Sequence, residues 1–427
     1  MGDVNRVALI GYSQLGSGAN RAFGRIANIL QGSRQSDPTE IIVRVASGAP
    51  GVVVTSKFLL PMAVALASIR NPRLFFRRIK KNGFRFLGGK ALHSRASTNT
   101  GLVRDVVAAK PNVVIANWFG DYTDSIEELG KVGVPLVLRN GDMWWFQGSR
   151  HFVHPPGIPT SRWQRFLEWS FFGREDTDTL ERKKKHLYPV VSATVSPSPW
   201  MTQQVVDSGL MPHATHVTIP NPLDTAEWFP EDKQQARKKL GIRPEEFSIG
   251  FGAIGGTKDP RKGADLLVAA LRVLGENNNT GAQIRCDVFG EKGRTTSAAA
   301  FPVIKHGRLG DEALRQFYSA IDIFVVPSRM EGFPNTALEA LACGTPVIAF
   351  DTGPMGDYLV HGETALLAEA FSANDLANQI QTALDNPDWI SQTGRKGIAW
   401  VEENLAPSVV AKQWFDMFAL VLEQKKS

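Results

Sequence analysis

The sequence predicts an α/β protein built as two domains, and three observations predict it. At 427 residues the chain is too long for one ordinary hydrophobic core. Ile323–Val326 and Val347–Phe350 are short apolar runs, the right length for buried strands. Between them Pro327, Gly332 and Pro334 mark a loop, and 337–342 are strong helix formers. Strand, helix, strand in that order implies a parallel sheet. The pattern opens both halves of the chain: strand 6–10 before helix 22–30, and strand 248–253 before helix 264–274. An apolar share of 43% and a charged share of 21% fit a soluble globular protein.

The 323–350 unit carries the strongest chemical signal. Asn335 reads as the helix N-cap, and Gly344 with Pro346 ends the helix. Glu331 stands in the loop and Glu339 one turn inside the helix. Free N–H groups at a helix start attract an anion such as a diphosphate. A carboxylate accepts hydrogen bonds from two neighbouring hydroxyls. One carboxylate on each side of a phosphate site suits a nucleotide-sugar, ribose at one end and hexose at the other. The pair also reads as two solvated glutamates on a capped helix, and spacing alone does not choose.

The segment EGFPNTALEALACGTPVIAFDTG resembles the E-x7-E signature of the GT4-like retaining glycosyltransferases, which have the GT-B fold. The resemblance implies two Rossmann-like domains with a cleft between them. It divides the chain into an acceptor domain, 1–215, a donor domain, 216–405, and a C-terminal helix, 406–427, that crosses back to the first domain. It implies that Glu331 contacts the donor sugar and Glu339 the ribose. Gly332, Phe333, Pro334, Asn335 and Thr336 then line the donor site.

The net charge of +6 is unevenly placed. Residues 1–215 hold 27 Lys and Arg against 15 Asp and Glu, and the remainder 21 against 27, so the first half is expected to meet something anionic. Residues 41–104 hold 12 cations and no acid. Their densest part, RNPRLFFRRIKKNGFRF, interleaves aromatics with charge. It reads as a solvated basic helix or as a peripheral patch for an anionic membrane surface. Without a recognisable reader fold, no nucleic acid is expected. The two cysteines, Cys286 and Cys343, read as core fillers. The start enters a strand directly, so no signal peptide is expected and the expected location is cytoplasmic.

In the first half, Gly16, Ser17 and Gly18 form a glycine turn before a helix and are expected to face the donor diphosphate. Asn117, Trp118 and Asp121 follow strand Val113–Ala116, at the edge where ligands gather. After strand 134–138 comes RNGDMWWFQGSRHF, similar to the HDMWxFTGxCHY loop of one GT4 branch. The branch's first histidine is Gly141 here, and its cysteine is Arg150. Asp142 remains as the acceptor-side carboxylate, with Trp144 and Trp145 beside it, suited to a sugar face or to a core. Asp176-Thr-Asp178 fits a metal-binding DxD by letters only and reads as a solvated helix start.

In the second half, Gly255 and Gly256 allow a tight turn, and Lys258, Arg261 and Lys262 gather at a helix entry. Fixed cations stabilise a leaving diphosphate where its charge appears. Lys262 looks like the family's lysine. The family's partner arginine is Thr257 here, leaving Lys258 or Arg261 to replace it. His306 lies in the loop that borders the base in similar enzymes. The reading is a retaining glycosyltransferase with a nucleotide-diphosphate sugar donor, a glycan or lipid-linked acceptor and no metal requirement. An epimerase or hydrolase on the same fold, or a non-catalytic nucleotide-sugar-binding protein, stands as the alternative.

Overall fold

The computed structural model describes residues 6–12, 18–32, 40–46, 101–117, 125–152, 162–252, 259–277, 282–291, 293, 296–298 and 301–424. The first domain runs β1 (Arg6–Tyr12), α1 (Gly18–Gly32), β2 (Glu40–Ala46), α2 (Leu102–Ala108), β3 (Val113–Ala116), α3 (Ile126–Leu129), β4 (Leu136–Arg139), α4 (Arg162–His186), β5 (Val191–Ser196), α5 (Pro199–Asp207) and β6 (Thr215–Thr218). The second runs α6 (Lys233–Leu240), β7 (Glu246–Gly252), α7 (Ala264–Asn277), β8 (Gln283–Phe289), β9 (Thr296–Ala298), β10 (Phe301–Gly307), α8 (Asp311–Ala320) and β11 (Ile323–Val326). It continues through α9 (Asn335–Ala342), β12 (Val347–Phe350), α10 (Met355–Tyr358), β13 (Ala365–Ala368), α11 (Ala373–Leu384), α12 (Pro387–Leu405) and α13 (Pro407–Gln424).

Each domain is one sheet. The first is parallel in the order β2-β1-β3-β4-β5-β6. The second has the order β13-β12-β11-β7-β8-β10-β9, parallel except where β9 meets β10. β3, β4, β11 and β12 are buried at every position. Such unbroken apolar strands suit a parallel sheet covered on both faces. The chain reverses direction across the sheet between β1 and β3 in the first domain, and between β7 and β11 in the second. Ligands of open α/β sheets bind beyond the strand ends at such points.

The C-terminal helix returns to the first domain. Val410, Trp414, Met417, Phe418 and Val421 of α13 share a core with Val7 and Leu9 of β1 and Phe23, Ile26 and Leu30 of α1. The stretch Pro387–Gln424 is long and apolar enough to cross a membrane.

Two expectations are corrected. The boundary near 215 falls a strand early: Thr215–Thr218 pair with β5, so the crossover follows Thr218. Asp176 and Asp178 sit in mid-helix, well inside the 25 residues of α4, and not at a helix start. Asp176 accepts the Ser149 N–H at 2.8 Å and pairs with Arg150, tying α4 to the loop after β4. Both cysteines are free and buried, and burial pushes the Cys286 thiol up to about 12. Gly16, Ser17, Trp118, Asp121, Lys258 and residues 47–100 of the basic stretch lie outside the described residues. Gly18 is the first residue of α1.

Candidate active site

The loops after β7 and β11 meet at the second domain's reversal point. Gly263 makes the meeting possible. Its φ of +67° is a left-handed conformation that glycine adopts without strain. A β-carbon there would overlap the Pro327 carbonyl oxygen at the end of β11. Through this contact the turn holding Arg261 and Lys262 lies against the loop holding Glu331. Lys262 Nζ donates to Glu331 Oε1 at 2.6 Å, and Ser328 Oγ donates to the same oxygen at 2.8 Å. Arg329 fastens the two loops. Its guanidinium donates to Asp265 at 2.7 and 2.6 Å and to the Pro260 carbonyl, and its N–H donates to the Arg261 carbonyl at 2.7 Å. Arg261 itself is paired with Asp259 at 2.7 Å and lies over the Phe152 ring, 4.5 Å from its centroid.

Glu339 is not a solvated glutamate, being only 3% exposed. Its Oε1 accepts from Arg25 of α1 at 2.8 Å, and its Oε2 from the Tyr318 hydroxyl at 3.4 Å. Burial, together with the Glu339 charge, holds the Tyr318 hydroxyl well above its ordinary pKa, so it remains a donor. Asn335 is the first residue of α9, and Pro334 occupies the cap position. The expected Asn335 cap is absent because Asn335 Oδ1 accepts from Asn221 Nδ2 at 3.3 Å instead. Asn221 lies in the crossover and also accepts from Arg139, which donates to Asn117 at 2.7 Å. The ends of β3 and β4 are thereby linked to the start of the helix that carries Glu339. Arg139 is buried, and among the described residues no carboxylate pairs with it. Burial lowers its pKa to about 10, against the opposing charge of Asp142.

The loop after β4 faces this site from the first domain. A β-carbon on Gly332 would stand 3.1 Å from the Gly141 carbonyl oxygen, so Glu331 and Asp142 each adjoin the point of contact. Ser198 Oγ also donates to the Gly332 carbonyl at 3.4 Å. Both Asp142 oxygens are engaged: Oδ1 accepts the Trp144 N–H at 2.9 Å, and Oδ2 lies 2.7 Å from His151 Nδ1. Trp144 and Trp145 are each 1% exposed, which makes them core rather than a sugar platform. Beneath them Lys183 is fully buried, 3.4 Å from the centroid of the Trp144 ring. It donates to the carbonyls of Trp144, Gln147 at 3.0 Å and Gly148 at 2.8 Å. Burial pushes its pKa well below the lysine range, while the charges of Asp142 and Asp176 oppose the fall.

The structure therefore brings together Glu331, Lys262, Arg261, Gly332 and Asp142, with Phe333, Pro334, Asn335, Thr336 and Glu339 following along the loop and α9. His306 is held at 2.7 Å by Asp287 inside the second domain. Sequence reasoning missed Arg25, Arg329, His151 and Lys183. His151 sits inside the loop already singled out. No local pattern marks the other three, whose partners lie far along the chain. A surface pocket of about 420 Å³, lined by Lys184, Tyr188, Pro189, Leu210 and His213, shares no residue with this site.

Residues 232–400, in the second domain, match the family described as Glycosyl transferases group 1. The D-inositol 3-phosphate glycosyltransferase of Rhodococcus jostii is 34% identical over 195 residues, 43% of this chain and 43% of that protein. The lipopolysaccharide core biosynthesis mannosyltransferase LpsB of Rhizobium meliloti is 30% identical over 211 residues, 45% of this chain and 59% of that protein. The chain thus matches only about half the length of these relatives. Sucrose-phosphate synthase of Thermosynechococcus elongatus superposes with a TM-score of 0.62 at 19% identity, over 98% of this chain and 100% of that one. Anabaena HepE, solved in complex with UDP, gives 0.61 at 15% identity, over 97% and 99%. These likenesses establish the two-domain GT-B fold.

Proposed function

We propose that this protein is a retaining, GT4-like glycosyltransferase that moves a sugar from a nucleotide-diphosphate sugar to a glycan or lipid-linked acceptor. One observation carries the reading. Lys262 and Glu331 meet at 2.6 Å on adjoining loops at the sheet's reversal point, and buried Glu339 follows in α9. In this reading Glu339 takes the ribose hydroxyls and Glu331 the hexose. Lys262, with Arg261 or Lys258, takes the diphosphate. Hexose hydroxyls replace the ammonium as the partner of Glu331, which turns Lys262 toward the phosphates. A fixed cation then stabilises the charge that grows on the leaving group. Phosphate charge met by side chains and backbone N–H groups needs no metal ion.

The acceptor enters from the first domain past the loop of Asp142. With both oxygens committed, Asp142 holds His151 and the loop in place, while the leaving phosphate receives the acceptor proton. The glycosyltransferase and mannosyltransferase activities for which the relatives are named support sugar transfer, and the UDP complex of HepE supports a nucleotide-linked donor. The basic stretch 41–104 is proposed to bring the enzyme to an anionic membrane on the cytoplasmic side, where lipid-linked acceptors lie. A thermal-shift screen of nucleotide-sugars tests the donor assignment. A ligand that binds only the folded protein at 100 times its Kd adds about 2.7 kcal/mol of stability and raises the midpoint. If no nucleotide-sugar raises it, the reading fails.

A further inference from the structure

We infer that Arg25 is a positioning residue of the donor site, supplied by the other domain: it orients the Glu339 carboxylate for the ribose diol. The inference rests on the assignment of Glu339 to the ribose proposed above. Arg25 lies on α1 of the first domain, 314 residues from its partner, and donates to Glu339 Oε1 at 2.8 Å. The Tyr318 hydroxyl donates to Oε2 at 3.4 Å. An ionised carboxylate offers about four lone-pair positions. Arg25 and Tyr318 use one on each oxygen, leaving one on each for a pair of neighbouring hydroxyls. A carboxylate buried to 3% exposure also needs a cation beside it, and Arg25 is the one that meets it. The guanidinium is steadied by the Trp228 ring, 5.5 Å from its centroid.

Arg21, one helical turn earlier on the same face of α1, pairs with Asp311 at the start of α8 at 2.5 Å. With Arg21 half-buried and Asp311 exposed that pair is weak, but it shows that this face of α1 points across to the second domain. The ribose site is therefore complete only when the domains are together. Binding of the ribose and closure of the cleft are coupled through Arg25.

The test is calorimetric binding of UDP, GDP and ADP to the full chain, followed by the 2′-deoxy counterpart of the tightest binder. Arg25→Gln is expected to weaken the ribonucleotide about tenfold and the 2′-deoxynucleotide less than twofold. Preference for ribose should collapse, and Arg25→Lys should restore most of it. Unchanged or tighter ribonucleotide binding by Arg25→Gln overturns the inference alone. An equal loss for both nucleotides does the same, because it marks Arg25 as scaffold. If wild type binds none of the three diphosphates, the nucleotide-sugar reading itself fails, and this inference with it.

Discussion

Replacing Gly263 with alanine should damage both stability and sugar transfer, and the geometry says by how much. The position has φ +67°, and a left-handed conformation costs a residue with a β-carbon about 1–2 kcal/mol. The new β-carbon would also overlap the Pro327 carbonyl oxygen, well inside the 3.0 Å that β-carbons keep from other atoms. Backbone cannot swing aside as a side chain does, so relief of the overlap costs a further ~1–3 kcal/mol. A loss of about 2–5 kcal/mol is expected. The retreat also separates the Lys262 turn from the Glu331 loop, and a misplacement of about 1 Å costs roughly 100-fold in rate. Gly241 is the control, with φ +65° and open space around its would-be β-carbon. Gly241→Ala should cost only the conformational strain and leave transfer intact. Urea unfolding and turnover of a nucleotide-sugar read the two variants side by side. If Gly263→Ala matches Gly241→Ala in stability and keeps full activity, the packing of these two loops is not what forms the site.

On the proposed assignments, Glu339→Ala should mainly weaken donor binding, by removing a ground-state contact to ribose, whereas Glu331→Ala should lower kcat more than affinity, because the hexose would move during transfer. Equal and small effects of the two changes on donor turnover would remove both from the site. On the proposed assignment of the phosphate charge to Lys262 and its neighbours, activity should survive EDTA; loss with EDTA and recovery with Mg²⁺ or Mn²⁺ would show that a metal does this work. The protein should float with anionic liposomes at low salt and be released at high salt. A variant with Arg73, Arg77, Arg78, Lys80 and Lys81 changed to Ser should remain unbound yet folded. Indifference of wild type to anionic vesicles at low salt would favour a soluble acceptor.

What the sequence disclosed followed from local signals. The 323–350 unit was legible because apolar runs, loop-forming prolines and a helix of strong formers mark strand, loop and helix within about thirty residues. The family motif then singled out Glu331, Glu339 and Lys262, and the structure places Lys262 on Glu331. The features that escaped depend on contacts between distant residues. Asn335 has cap chemistry, but Asn221, 114 residues away, takes its side chain. Burial of Glu339 requires Arg25, and burial of Lys183 requires three carbonyls of the loop after β4. Nothing in KKKH distinguishes the first lysine, Lys183, from its exposed neighbours until α4 packs beneath Trp144. The boundary read near 215 falls short of the last strand of the first sheet because proline-rich chain on both sides of Thr215 resembles a linker, whereas pairing with β5 puts Thr215–Thr218 in the first domain.

The central claim is that this cleft transfers a sugar from a nucleotide carrier, with Lys262 supporting the leaving diphosphate. The most direct measurement follows a nucleotide-sugar labelled in its sugar, incubated with the purified protein and a glycan and lipid extract. Wild type and Lys262→Met are compared, and the label is separated into donor, free sugar and acceptor fractions. The account predicts label in the acceptor fraction with the anomeric configuration retained. It also predicts a fall of about 100–1,000-fold in rate for Lys262→Met, as for the loss of one group that stabilises developing negative charge. Label that stays on the donor, or that leaves it as free sugar or epimer at the same rate without the extract, would contradict it.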